Sequence, residues 1–485
     1  MKSLSALLIV DLQNDFLSQD GAFSKWHIEP QQLCDAVNWL VQAARQQQRQ
    51  VVWIASNYGE VTGEPEELQG KTHIGKFCCV KDTWGSKIVP ALQSAFEQRT
   101  DDELAIVKYW YDAFVGVASQ NENRTTLHEW LQAKQITKLS ICGVPTNVCV
   151  FQTAKSALRL GYQVEILEEA TSASTPGKHL LAIRELEKLG GTTRHWGELL
   201  SESNPVRLSG IAGDSSLDCA ALSSCIDEST FETLHDEVAW HHMIHRGSAV
   251  PRLIALQGMK EADGVEPLYR HPADEQPPLT YWTPTVDAIR QEVEGRIGHP
   301  LNHCLIQLYR NGRDFIGEHA DKTLDVMRPS LIVNVSLGAT RSMLFRSKTT
   351  KGTVPQKLPL PHGSLFMLNL ESNQKFYHGI KQLGSDSTDA LRISLTLRYI
   401  GTYYDPINGA VWGIGAPSKT RAEANARVKW SDSLSLEEKL AKETAEADCL
   451  LRLFREENIN ENFDANAYQP GFDILDFQGF VDRRS

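Results

Sequence analysis

The sequence predicts two folds in one chain: an α/β unit built on a parallel sheet, followed by a mainly β unit. Three observations carry this. The first 200 residues alternate short aliphatic runs with amphipathic stretches, the signature of strands covered by helices on both faces. Near residue 200 the pattern breaks at "SESNPVRLSGIAGDSS", which is polar and rich in turn formers. From 303 to 400 most apolar runs are strand-like and are separated by Gly, Pro and Asn turns, as in a barrel or sandwich.

The α/β elements follow in order. Strands are expected at "SALLIVDL" (5–12), "QVVWIASNY" (50–58), "LAIVKYW" (104–110), "KLSICGV" (138–144) and "QVEILEEA" (163–170). Between the first two lies "QQLCDAVNWLVQAARQQQ", where Leu33, Val37, Leu40, Val41 and Ala44 share one helical face. In the second half a helix is expected at 285–297, and strands at "HCLIQLYR", "SLIVNVSLG", "RSMLFRSK", "GSLFMLNL" and "RISLTLRYI". The last 65 residues read as acidic and helical, then aromatic and loop-like, packed back on the chain. The domain reading is therefore 1–203, a linker at 204–218, a β domain at 219–402 and a C-terminal extension at 403–485.

Composition narrows the function classes. A chain of 485 residues is too long for one ordinary core. No apolar run reaches the length of a membrane span, and Asp11 interrupts the apolar N-terminal run where a signal peptide would continue. Nine irregularly spaced cysteines form neither a disulfide framework nor paired zinc ligands. A reducing compartment, cytoplasm or nucleus, is expected, with no membrane partner. The net charge of −12 excludes a protein that coats nucleic acid nonspecifically. Charge is uneven, however: residues 322–381 carry nine basic and two acidic side chains, whereas 421–485 carry nine basic and fourteen acidic.

Three reactive residues sit at the ends of expected strands in the first half: Asp11, Lys108 and Cys149. A cysteine nucleophile needs a base and a nearby cation, and a turn running into a helix adds amide donors for an oxyanion. Singly, each has an ordinary reading as a turn aspartate, a surface lysine or a core thiol. Together, "LLIVDLQNDF", "VKYWYDAF" and "GVPTNVCVFQTA" resemble the three motifs of the isochorismatase-like cysteine hydrolases over about residues 4–200. The resemblance implies a doubly wound, Rossmann-like three-layer fold and a triad of Asp11, Lys108 and Cys149. It also implies a cis peptide at Val144–Pro145 and a small amide or enol ether as substrate. Nicotinamidases of that superfamily bind a metal through Asp-x-His after the second strand. Here "WIASNYGEVTG" stands in that place, so neither a metal nor another cofactor is expected in this domain. A homo-oligomer through this domain is left open.

The second half holds His319 and Asp321 in "EHAD" and His378 in "KFYHGI". Two histidines and a carboxylate, two of them spaced i, i+2 on a strand, make the ligand set of mononuclear Fe(II) oxygenases. Such iron keeps positions open for O2 and an acidic co-substrate, and Arg392 and Arg398 share a strand face suited to its carboxylates. Each residue alone has a plain structural explanation. In this order, "NHCLIQLYRNGRDFIGEHAD", "IVNVSLGATRSMLF", "LPHGSLFMLNL", "FYHGI" and "RISLTLR" resemble the motifs of AlkB-like Fe(II)/2-oxoglutarate dioxygenases over about 230–402.

That resemblance implies a double-stranded β-helix (jelly roll) with iron on His319, Asp321 and His378. It places the distal carboxylate of 2-oxoglutarate on Arg392 with Tyr309, and Arg398 near the chelating carboxylate. Gln307 and Ser394 stand where the family commonly has asparagine. It also implies oxidative demethylation of alkylated nucleobases in DNA or RNA. Arg341, Arg346, Lys348, Lys351 and Lys357 are then candidate phosphate contacts, and Tyr269 and Trp282 candidate nucleotide-facing aromatics. The expectation is a dioxygenase fused to a hydrolase. The alternative is an oxygenase acting on a protein or small molecule, with the first domain a non-catalytic binding or dimerisation module.

Overall fold

The computed structural model describes residues 5–477 except 27, 59–77, 116, 119–124, 202–205, 220–221, 223–224, 228, 246, 274, 350–353, 384–390, 432 and 476. The chain forms two compact units, Met1–Val206 and Arg207–Ser485.

The first unit carries β1 (Ser5–Val10), β2 (Gln50–Ser56), β3 (Leu104–Lys108), β4 (Val117–Ala118), β5 (Lys138–Gly143), β6 (Gln163–Thr171) and β7 (Thr192–Arg194). They make one sheet in the order β4-β3-β2-β1-β5-β6-β7, parallel except where β4 pairs β3. The helices are α1 (Asn14–Leu17), α2 (Pro30–Gln46), α3 (Pro90–Glu97), α4 (Leu127–Ala133), α5 (Phe151–Arg159) and α6 (Pro176–Lys188). Each expected strand is present. From Ala6 to Val10, β1 is apolar and buried because both of its faces are covered, as a central parallel strand requires. Gly143 closes β5 at φ +115°, where a Cβ would lie 2.1 Å from the Val10 carbonyl oxygen. Only glycine lets the chain turn there, beside the ends of β1 and β6.

The second unit opens with β8 (Val206–Ile211) and β9 (Ser215–Cys219). The stretch read from sequence as a linker at 204–218 is therefore largely sheet. Val206, Leu208, Ile211 and Leu217 are buried, and the glycines belong to the turn joining two strands. Next come α7 (Thr230–Glu237), β10 (Ile244–His245), β11 (Ser248–Ala249), β12 (Leu253–Gly258), β13 (Glu266–Pro267), β14 (Leu279–Thr280) and α8 (Pro284–Ile297). They are followed by β15 (His303–Tyr309), β16 (Ile316–His319), β17 (Leu331–Gly338), β18 (Arg341–Ser347), β19 (Gln356–Leu360), β20 (Ser364–Asn369), α9 (Leu370–Lys375), β21 (Phe376–Ile380) and β22 (Arg392–Arg398).

Eight strands form one sheet, β14-β12-β15-β22-β17-β20-β9-β8, and four form another, β16-β21-β18-β19. The pairs from β12 through β9 run antiparallel. α8 packs Val286, Ile289 and Val293 against the large sheet.

The tail is built into this unit. β23 (Thr402–Asp405) and β24 (Ala410–Gly413) make a small sheet with β13, and α10 (Arg421–Ser431) and α11 (Leu436–Ile459) follow. α11 starts in a capping box between Ser435 and Glu438. Its Ala447, Leu450, Leu453 and Phe454 join Leu324, Phe463, Tyr468, Phe472, Ile474 and Phe477 in a separate core. The fully buried Arg270 guanidinium ties the tail down. It pairs with Asp325 (2.6 Å) and donates to the carbonyls of Gly415 (2.9 Å), Phe472 (2.8 Å) and Ile474 (3.1 Å). A Cβ at Gly415 would sit 2.3 Å from Asp325 Oδ1, so the chain passes there only as glycine.

Among the described residues no helix is long and apolar enough to cross a membrane.

Candidate functional site

The pairing of β16 with β21 sets His319 directly opposite His378. Cross-strand partners project to the same side, so the two rings meet with centroids 4.5 Å apart. Asp321 lies just past the end of β16, with Oδ1 3.6 Å from His319 Nε2 and 3.9 Å from His378 Nε2. One ligand atom from each residue falls within 4.8 Å of the others.

Their surroundings suit a cation. His319 Nδ1 donates to the Gly317 carbonyl (2.8 Å), which leaves Nε2 free of its proton and facing the group. Burial, together with His319, holds His378 down at about 3, so its imidazole is neutral. Burial opposes charge on Asp321, yet Arg398 and the two histidines outweigh it and keep the carboxyl well below its usual range. Arg398 binds Asp321 Oδ2 (2.7 Å), leaving Oδ1 to the histidines. Asn373 receives the Asp321 amide and donates to its carbonyl, both at 2.9 Å, fixing the backbone of that residue.

Behind the group, a small chamber is lined by Gln307, Tyr309, Asn334, Ser394, Thr396 and Arg398. Register aligns these residues: Gln307 faces Ser394 and Tyr309 faces Arg392 across β15–β22. Arg392 donates to Ser336 Oγ (2.8 Å) and Asn334 Oδ1 (3.3 Å) and lies over the Tyr309 ring. Burial lowers Arg392 to about 10, still charged at neutral pH. Its Nη1 and Arg398 Nη1 are buried without a hydrogen-bond partner among the described residues. Buried guanidinium donors are costly to leave unpaired, so these two arginines suit the carboxylates of an acidic ligand. Gln307 Oε1 is already taken by Arg252 Nε (2.6 Å), and Ser394 Oγ by Asn334 (2.7 Å).

In front, the histidine–aspartate group opens into a cleft of about 1730 Å³ lined also by Tyr269, His271, His303 and Arg398. Tyr269 lies under Arg398, 4.4 Å from ring centroid to guanidinium. Trp282 does not face the cleft: it packs beside the α8 core with Arg290 over its ring. The candidate phosphate contacts are also mostly engaged elsewhere. Arg341 is buried on the carbonyls of Asn311, Asp314 and Lys381, because strand alternation turns it inward. Arg346 pairs with Glu318, Lys348 donates to the Glu457 carbonyl, and Lys351 lies outside the described residues.

The first unit brings its three residues together at the carboxyl ends of β1, β3 and β5. Lys108 Nζ lies 2.8 Å from Asp11 Oδ2 and 3.4 Å from Cys149 Sγ, all essentially without exposure. Asp11 sits at φ 55°, a left-handed conformation that aspartate tolerates better than most residues. The Val144–Pro145 peptide is cis, as expected. Burial pushes the Cys149 thiol up to about 12 against the pull of Lys108. Burial alone would lower Lys108, but Asp11 and Cys149 raise it.

Sequence reasoning missed Ser56 and Tyr58. Ser56 Oγ receives Lys108 (2.6 Å) and donates to Asp11 (2.8 Å), and the Tyr58 hydroxyl is 3.5 Å from Cys149 Sγ. Their signal was the polar Ser-Asn-Tyr that ends an otherwise apolar strand. Of the segment on which absence of a metal was expected, 53–63, residues 59–63 lie outside the described residues. Asp15, Cys78 and Cys79 also bring ligand atoms within 4.8 Å of one another. The Asp15 carboxylate is already bonded to the amides of Cys79 (2.6 Å) and Ala22 (3.2 Å).

Comparison with known proteins agrees with both constellations. The isochorismatase domain family matches residues 5–198, and the 2OG-Fe(II) oxygenase superfamily matches 221–398. The second half is 38% identical over 125 residues to the DNA oxidative demethylase ALKBH2 of Homo sapiens, covering 24% of this chain and 47% of that protein. It is 30% identical over 170 residues to the human alpha-ketoglutarate-dependent dioxygenase alkB homolog 3, covering 33% and 55%. The chain thus spans about half the length of these two relatives. The first half is 30% identical over 203 residues to an Arabidopsis thaliana protein named "Probable inactive nicotinamidase", covering 41% of this chain and 96% of that one. The first unit belongs to the isochorismatase family, and the second matches the 2OG-Fe(II) oxygenase superfamily and is similar to AlkB-type proteins, so the chain joins two family regions in one polypeptide.

Proposed function

We propose that the second unit is an Fe(II)/2-oxoglutarate-dependent dioxygenase of double-stranded β-helix type that demethylates alkylated bases in DNA or RNA. We propose further that the first unit is a cysteine hydrolase for a small amide or enol ether. The observation that carries the first reading is the convergence of His319, Asp321 and His378 in front of two buried arginines with unpartnered Nη1 atoms. When bound, Fe(II) with 2-oxoglutarate and O2 supplies hydroxylation of an N-methyl carbon, which leaves as formaldehyde while 2-oxoglutarate becomes succinate and CO2.

The protein's residues have separable tasks. His319 and His378 each offer Nε2, and Asp321 offers Oδ1 while Arg398 holds its other oxygen. Arg392, braced by Ser336 and Asn334, receives the distal carboxylate, with Tyr309 beside it. Arg398 serves the carboxylate next to the metal. Gln307 and Ser394 act through Arg252 and Asn334. The cleft admits the alkylated base from the side of the partly exposed His319.

In the first unit, Asp11 accepts the thiol proton as Cys149 attacks, and Lys108 holds the resulting charge. The free thiols support a reducing compartment, cytoplasm or nucleus.

The test is succinate and formaldehyde release from the full chain with Fe(II), 2-oxoglutarate and a panel of methylated DNA and RNA oligonucleotides. Release above the oligonucleotide-free rate supports the reading; 2-oxoglutarate turnover indifferent to every oligonucleotide would overturn the substrate class. For the first unit, identical hydrolase traces from wild type and Cys149→Ala would leave it a non-catalytic module.

A further inference from the structure

α11 lies beyond the matched oxygenase region, yet it forms a wall of the oxygenase cleft. Its two faces do different things. Ala447, Leu450, Phe454 and Glu457 recur at helical spacing and are buried. Around them, polar contacts hold the helix to the residues flanking Asp321. Asn458 receives the Ala320 amide (3.0 Å), the Phe454 carbonyl receives Lys322 Nζ (3.0 Å), and Glu457 receives the Thr323 amide (3.0 Å). Tyr468 and Lys348 also bond to Glu457, through its carboxylate and its carbonyl. The helix is thereby fixed against the metal-binding turn through residues 320, 322 and 323.

The opposite face, with Ala445, Asp448, Cys449, Arg452, Arg455 and Ile459, looks into the cleft, and Asp448 there has a contact of its own. Arg452 and Arg455 are exposed there. Neither forms an ion pair among the described residues, and the hydrogen bond of Arg452 runs to Cys449 Sγ at 3.7 Å. This is unexpected in a tail with fourteen acidic side chains, where neutralising partners are plentiful. The basic hairpin that sequence offered for phosphates is mostly engaged in internal bonds. Two unneutralised guanidinium groups one helical turn apart, about 5 Å along the axis, instead stand at the mouth of the cleft.

We propose that Arg452 and Arg455 bind backbone phosphates of the nucleic-acid strand whose base enters the cleft, so that the tail helix sets the preference for polymeric over mononucleoside substrate. This rests on the oxygenase reading above. Guanidinium forks match phosphate oxygens, and phosphate contacts position a strand without reading its sequence.

The experiment compares wild type, R452E/R455E and R452K/R455K in the full chain. The probes are a methylated single-stranded oligonucleotide and the corresponding methylated nucleoside, which has no phosphate. The expected result is a drop of at least tenfold in the ratio of kcat/KM for oligonucleotide to that for nucleoside in R452E/R455E. The slope of log(kcat/KM) against log salt should fall by roughly 1.4 in that variant, since each phosphate contact on a single strand contributes about 0.7. R452K/R455K should keep most of the slope. An unchanged ratio and slope in R452E/R455E would overturn the proposal while leaving the oxygenase reading intact. Equal losses in both double variants would also overturn it, because they would mark a structural role. A wild type that turns over an acidic peptide and no oligonucleotide would keep the oxygenase reading but remove its nucleic-acid substrate, and this proposal with it.

Discussion

His319 and His378 are register partners across β16 and β21, and this single pairing places two nitrogens within reach of one ion. A slip of one residue would turn one ring to the opposite face. His378→Ala should therefore abolish Fe(II) uptake, read as loss of the absorption band that Fe(II) and 2-oxoglutarate give together under anaerobic titration. Retention of the band would remove His378 from the ligand set.

Arg392 is the buried cation best placed for a distal carboxylate. Arg392→Ala should raise KM for 2-oxoglutarate by roughly tenfold to a hundredfold, the worth of a charge-assisted hydrogen bond at about 1.5–3 kcal/mol. Steady-state kinetics at saturating oligonucleotide measures it. A KM within twofold of wild type would contradict the assignment.

Glu457 joins α11 to Thr323 and Tyr468 and faces Lys322. Removing the carboxyl in Glu457→Ala leaves a buried amide unsatisfied and should cost about 1–3 kcal/mol, visible as a lower Tm. Burial raises the pKa of Glu457 despite Lys322, Thr323 and Tyr468. The folded chain then binds this proton more tightly than the unfolded chain. Its contribution is full below the ordinary carboxylate range and is lost as pH rises through the raised value. Wild-type Tm should fall across that interval more steeply than that of Glu457→Gln, and parallel curves would refute the linkage.

Lys108 is fully buried against Asp11. Lys108→Met should destabilise the first unit by about 3–5 kcal/mol, because it strands a buried carboxylate. Urea unfolding followed by a probe in that unit tests this. Cys149→Ala leaves the Lys108 and Ser56 contacts of Asp11 in place and should change stability far less.

The sequence was most legible where chemistry and local periodicity coincide. β1, β3 and β5 show as aliphatic runs, and Asp11, Lys108 and Cys149 stand at their ends. His319 and Asp321 share a strand rhythm, and Arg392 and Arg398 share another. What stayed hidden depends on pairing across distance. Asn334 braces Arg392 across 58 residues, Arg252 holds Gln307 across 55, and Asn458 caps Ala320 across 138. No local pattern encodes such partners. The same gap explains Arg341, basic by composition but turned inward by register, and the strands at 206–219, whose glycines and serines looked like a spacer.

Arg270 carries a practical consequence for dissecting the chain. Its guanidinium is completed by carbonyls from 415, 472 and 474, far past the last residue matched to the oxygenase superfamily. A fragment cut at the end of β22 would expose that cation's partner Asp325 and open the core around Leu324, a short distance along the backbone from Asp321. A fragment meant to keep this unit folded therefore begins before β8 and extends at least through Phe477, whereas one bounded by family similarity alone would lack a core and the partners of a buried cation.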